Sequence, residues 1–259
     1  MTRRIFMAGT GVLAMGLDAQ EARRLNARYF LLESCLMKNG SQGPRLATYL
    51  QEARLAMAAR LKVPAPALIL EALVAAHMPQ VLVITAYGSL DELAAAKRVW
   101  REDADARAAL ARCEAGDEPP YEALNEIVLE AAPYCPPFPP PATDPAKPPR
   151  VYELRTYHSP TERQLQALHE RFAGPEVKIF HRCGIHPLLY SSTLIGPNQP
   201  NLTYLTPFDD LAAREKAWAE FGADPEWVKV RTESIARSGQ VASVIQISLF
   251  KAAAFSPVR

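Results

Sequence analysis

The sequence predicts an α+β fold: two tandem ferredoxin-like β-α-β-β-α-β units packed sheet to sheet as an intramolecular pseudo-dimeric α/β barrel. Three observations point there. A proline-dense stretch, PYCPPFPPPATDPAKPP from Pro133 to Pro149, divides the 259-residue chain near its middle. Proline fixes φ and removes a backbone donor, so this stretch is no helix interior or central strand and reads as a semi-rigid extended spacer. The same order of elements can be read on either side of it. Residues repeat as well: LAAAKRVW at Leu93–Trp100 matches LAAREKAW at Leu211–Trp218, 118 positions on, and this separation carries Ile127 and Leu129 onto Ile245 and Ile247.

After the spacer, Val151–Tyr157 alternates residue types as a strand does. Ser159-Pro160-Thr161-Glu162 opens a helix that keeps Leu165, Leu168 and Phe172 at helical spacing. Leu188–Leu194 and Leu202–Phe208 read as a strand pair around the turn residues Asn198-Gln199-Pro200-Asn201. Asp209 or Asp210 caps a helix bearing Leu211, Trp218 and Phe221, and a last strand runs through Val241 to Phe250. Before the spacer, the corresponding segments are Tyr29–Leu36, Pro44–Leu61, Leu68–Ala75, Gln80–Tyr87, the helix opened by Ser89, and Leu124–Glu130. A single unit leaves one face of its sheet bare, and such a face must be covered. Two units on one chain can cover each other. The domain reading is 25–132 and 150–259 around a linker at 133–149.

Composition narrows the function. At 49% hydrophobic and 22% charged residues, the chain can bury an ordinary core. A formal charge of +1 argues against a nucleic-acid partner held by a basic surface. No apolar run reaches the roughly 18 residues of a membrane-spanning helix. Cys35, Cys113, Cys135 and Cys183 form no close pair, so neither a zinc site nor a redox pair is indicated and they read as buried or idle thiols. Arg3-Arg4 stands before an uncharged stretch from Ile5 to Leu17, and residues 1–24 resemble a twin-arginine export signal, although Leu17 and Asp18 fit its cleavage region poorly. That label implies a periplasmic or secreted protein; without it the chain is cytoplasmic.

Tyr152-Glu153-Leu154-Arg155-Thr156-Tyr157, followed by Lys178-Ile179-Phe180 and Gly184, resembles the opening of a NIPSNAP domain. Arg214, Trp218, Phe221 and Asp224-Pro225-Glu226-Trp227 resemble that domain's second helix. The resemblance covers about 100 residues and implies a ferredoxin-like unit of the dimeric α/β-barrel superfamily. The first half keeps the frame but has Tyr29-Phe30-Leu31-Leu32-Glu33 at the opening and no Asp-Pro-Glu-Trp, so it reads as a degenerate, scaffolding copy. The family implies little about reaction. Its fold relatives include antibiotic-biosynthesis monooxygenases and haem-degrading enzymes, an analogy of fold alone.

On the strand from Val151, Glu153, Arg155 and Tyr157 share one face while Tyr152, Leu154 and Thr156 share the other. With the apolar face toward the helices, the polar set would line the barrel lumen, where a carboxylate, guanidinium and phenol could orient or deprotonate a small-molecule ligand. The plainer alternative is an internal ion pair that fixes the packing. His158, His169, His181 and His186 crowd the second half. His181 and His186, at i, i+5, lie on different helix faces with Gly184 between, so haem is a minor option, no metal site is assigned, and each histidine reads as solvated. Trp218, Phe221 and Trp227 read as core, with Arg214 stacked on Trp218. The functional expectation is a small-molecule enzyme or binder using a polar lumen, without an assigned cofactor. A non-catalytic interaction scaffold is the alternative, and a homo-oligomer is compatible with either.

Overall fold

A computed structural model describes residues 27–116, 118–139 and 148–259. The expected export signal and residues 140–147 of the proline-rich stretch lie outside them. In the first unit, β1 (Tyr29–Leu36) leads to α1 (Gln42–Tyr49), which runs through a π-helical turn, Leu50–Leu55, into α2 (Ala58–Leu61). Then come β2 (Leu68–Val74), β3 (Gln80–Tyr87), α3 (Leu90–Glu102), α4 (Ala104–Glu114) and β4 (Ala123–Ala131). The second unit follows the same order. It has β5 (Val151–His158), α5 (Glu162–Arg171), a π-helical turn at Phe172–Glu176, α6 (Val177–Arg182), β6 (Leu189–Ile195), β7 (Asn201–Phe208), α7 (Leu211–Ala223), α8 (Pro225–Ser238) and β8 (Val244–Ala252).

The eight strands close into an antiparallel barrel in the order β1-β3-β2-β8-β5-β7-β6-β4. Each unit contributes four neighbouring strands, joined where β2 meets β8 and where β6 meets β4. Phe30, Leu68, Leu82, Leu129, Tyr152, Leu189, Leu205 and Phe250, one from each strand, meet in a single buried cluster. That cluster is the barrel interior, and it is bulky and apolar. The proline-rich stretch contributes to it: Phe138 is 1% exposed and packs its ring 5.5 Å from that of Phe30. The helices cover the outer faces, with Phe172, Phe180 and Phe221 packing on Tyr157, Tyr190 and Tyr204 of the second sheet.

The correspondence between units is 121 residues, not the 118 that matches the LAA segments. α3 starts at Leu90 and α7 at Leu211. Ser89 and Asp210 each accept the backbone N–H of the residue three positions on, and Asp103 and Asp224 do the same for α4 and α8. Arg60 clasps Asp103 and reaches Asp105, while Arg182 clasps Asp224 and reaches Glu226. Small side chains recur along both helices, so a three-residue slip preserves the letters. Capping geometry admits no such slip, because only one residue precedes the first free N–H groups. Asp224-Pro225-Glu226 is the start of α8, with proline at the first helical position where no N–H is needed.

Candidate functional site

Glu153, Arg155 and Tyr157 do come together, but on the opposite side of the sheet from the lumen. Tyr152 and Leu154 enter the barrel interior, while Tyr157 belongs to the cluster under the helices. The reason is packing. At this level the interior offers the bulky apolar side chains around Tyr152 and Leu154, whereas the helix side supplies Arg214 and Trp218. Glu153 is 0% exposed and accepts from Arg155 Nε, Arg214 Nε and, at 3.1 Å, Trp218 Nε1. Arg155, not Arg214, lies over the Trp218 ring, 3.5 Å from its centroid. It also donates to Tyr157 Oη at 3.3 Å, which accepts from Tyr204 Oη at 2.7 Å. Burial holds both phenols above their usual range. A carboxylate with three donors is spent on structure.

A different set faces an open cleft of about 260 Å³, lined by Glu162, Gln166, His169, Ser192, Thr193 and Asn201 among others. His169 sits on α5, whose Leu165 and Leu168 turn toward the sheet and carry the imidazole with them. Ser192 comes from β6, on the helix-facing side with Tyr190, and Tyr134 comes from the turn after β4. His169 Nε2 lies 2.7 Å from Ser192 Oγ, and its Nδ1 lies 2.8 Å from Tyr134 Oη. Burial lowers the histidine's pKa and raises the phenol's, so both are neutral near pH 7. Asn201, 1% exposed, is oriented by Thr193 and Thr203, which both donate to its Oδ1. A hydroxyl, a neutral imidazole and an orienting phenol in line can accept or pass a proton at the cleft wall.

Sequence reading gave His169 no distinction from the other histidines. Its partners lie 35 and 23 residues away, so spacing carries no sign of them; the one local signal is its place on the apolar-facing side of α5. His181 and His186 are exposed and stack on each other, ring centroids 5.1 Å apart. Among the described residues, no group of three or more His, Cys, Asp or Glu is arranged to hold a metal ion. All four cysteines are free thiols.

Behind the cleft, Glu176 is 1% exposed and accepts from Arg171 Nε at 2.7 Å. Loss of hydration outweighs that guanidinium and pushes its carboxyl up to about 7; burial first, and the neighbouring Glu176 second, raise the phenols of Tyr134 and Tyr190. In the folded state the group therefore holds its proton where the unfolded chain has lost it. Its contribution to stability is full below the ordinary carboxyl range and fades as pH rises through about 7. Denaturant titrations at pH 5 and pH 8 should show wild type losing roughly 2–3 kcal/mol more across that interval than Glu176→Gln. Parallel pH profiles would reject the assignment.

The cleft is confined to the second unit. Counted from the start of the π-helical turns, Ala47 stands where His169 does, and counted from the start of β2 and β6, Glu71 stands where Ser192 does. The first unit's buried carboxylate, Glu33, is instead bound at both oxygens by Arg54, at 3.1 and 2.8 Å.

Residues 152–257 match the NIPSNAP family model. The second half is similar to NIPSNAP domains. Its likeness to solved structures extends further than that match, because the barrel needs both units. An anthrone oxidase-like protein superposes with a TM-score of 0.55 at 13% identity, over 89% of this chain and 93% of its own. A candidate monooxygenase of Lactobacillus acidophilus superposes at 0.52 with 10% identity, over 87% and 94%. At these identities the likeness is one of fold, the dimeric α/β barrel formed within one chain. A NIPSNAP family protein of unknown function from Agrobacterium tumefaciens matches at 24% identity over 42% of this chain and 94% of its own, with a TM-score of 0.38. No curated protein matches the chain. In the NIPSNAP-like half, the Tyr-Glu-Leu-Arg-Thr-Tyr opening that carried the resemblance supplies the buried network around Glu153. The first half carries no family match and shares the fold with much less of the pattern.

Proposed function

We propose that the protein is a small-molecule enzyme of acid–base type, working at the cleft wall formed by Ser192 and His169, with Tyr134 hydrogen-bonded to the imidazole, rather than in the barrel lumen. The observation that carries this is the unbroken pair of hydrogen bonds from Ser192 Oγ through the imidazole to Tyr134 Oη, with Ser192 and His169 both lining the cleft. With the proton on Nδ1, given to Tyr134, Nε2 is a free base toward Ser192. A ligand hydroxyl that donates to Ser192 Oγ can lose its proton through the serine to Nε2. The resulting imidazolium is held by the phenolic oxygen, and the return path protonates the product. Glu162, Gln166 and Gln199 at the mouth offer polar groups that would orient such a ligand. A small phenol or enol, acidic enough to share its proton with imidazole, suits this wall. The names borne by the barrel's structural neighbours bear on the fold and not on this chemistry.

Ligand-observed NMR with a set of small phenols and enols tests the reading. Binding is expected at neutral pH, weakening about tenfold or more in His169→Ala and Ser192→Ala, as removal of a hydrogen-bonded partner of a charge-developing group does. It should also fall on acidification as His169 becomes protonated. Binding that is indifferent to His169, or absent from the whole set, would reject the site.

A further inference from the structure

The barrel closes over only part of two strands. On one side, β8 pairs with β5 along its whole length, from Val244 opposite His158 to Lys251 opposite Val151. On its other side, the ladder with β2 runs only from Leu249 to Ala252, where β2 bulges between Ala72 and Val74 and parts from it. Among the described residues, no strand pairs with that edge of Val244–Ser248. Its alternate N–H and C=O groups therefore face water, with Val244 54%, Ile245 48% and Ile247 43% exposed. Leu73 and Val74, also exposed, lie at the end of β2 beside it. A long, uncharged, apolar edge is what soluble proteins usually blunt with lysine, proline or a covering loop.

We propose that this edge is a homodimer interface, in which β8 of one copy pairs antiparallel with β8 of a second about a twofold axis at Gln246. Self-pairing about that centre sets Ile245 opposite Ile247 of the other copy, Val244 opposite Ser248, and Gln246 opposite itself. Every cross-strand neighbour is apolar or neutral, so nothing repels, and the β-branched pairs are those that stabilise sheets best. The edge is its own complement, as an isologous interface requires. The counterpart in the first unit does not fit. The free half of β4, Ala123–Ile127, carries Glu126, which is engaged by Lys97. Two copies paired there would bring both Glu126 carboxylates and their lysines into the seam. Charge thus selects β8 over β4 and a second copy over an acidic or basic partner. The inference is independent of the cleft, which lies on the far side of β7 from β8.

Size-exclusion chromatography with light scattering, run on the full chain over a dilution series, tests it. Wild type should move from monomer to dimer with concentration. Ile245→Lys combined with Ile247→Lys, both at exposed positions, should abolish the dimer while the near-ultraviolet circular dichroism stays native. If that double variant fails to fold, Gln246→Glu, which places two carboxylates on the axis, should abolish the dimer equally. A wild type that stays monomeric overturns the proposal. So does a dimer that survives the substitutions, or a closed assembly larger than two.

Discussion

Replacing Glu153 by alanine should lower stability by about 3–5 kcal/mol, the cost of leaving buried charges without their partner. Arg155 and Arg214, both largely covered, would lose a shared carboxylate, and Trp218 Nε1 would lose its acceptor. In a chain of this size that is a fall in melting temperature on the order of 10 °C. Glu153→Gln keeps the shape and the tryptophan's acceptor but removes the charge between two guanidiniums, so it should sit between wild type and alanine. Denaturant unfolding of the three proteins checks the order. A Glu153→Ala protein that unfolds within about 1 kcal/mol of wild type would show that the network holds little together. The comparison also separates two roles for this carboxylate. A proton donor lining an open lumen would be lost at little cost in stability, whereas the center of a buried ion-pair network would not.

Phe138→Ala should cost about 3–5 kcal/mol, as removal of a fully buried aromatic ring does. The residue stands in a stretch where seven of the eight residues from Pro133 to Pro140 are proline or aromatic, and composition alone assigns that stretch to a spacer. A solvated spacer residue would change stability by less than about 0.5 kcal/mol. Phe138 instead meets Phe30 in the barrel interior, so the segment between the units also fills the space between their sheets. Equilibrium unfolding distinguishes the two outcomes directly, and an effect in the spacer range would remove Phe138 from the core.

Much of the fold was legible before any coordinates. Strand alternation, helix-opening residues at Ser89, Thr161 and Asp210, and a bare sheet face needing cover lead to two facing units and a barrel. The family resemblance came from residues that the structure places in one network: Glu153, Arg155, Tyr157, Arg214 and Trp218. What was misjudged there was direction. Alternation divides a strand into two faces but does not say which face meets the helices, since both sides of a barrel wall are buried. Tyr152 and Leu154 could have packed under helices as well as into the interior. Likewise, matching letters placed the units 118 residues apart, while the capping aspartates and their arginines place them 121 apart.

The sequence by itself determined the element order, the pairing of two units on one chain, the NIPSNAP character of the second, and which polar residues would be held as a set. These follow from local rules, because periodicity, capping and proline act over a few residues. Only the tertiary structure decided that the set around Glu153 is buried and saturated, that Phe138 belongs to the core, and that Ser192, His169 and Tyr134 meet at a cleft. Those outcomes depend on which side of a curved wall each side chain takes and on contacts spanning 23 to 108 residues of chain, and no local pattern carries that information.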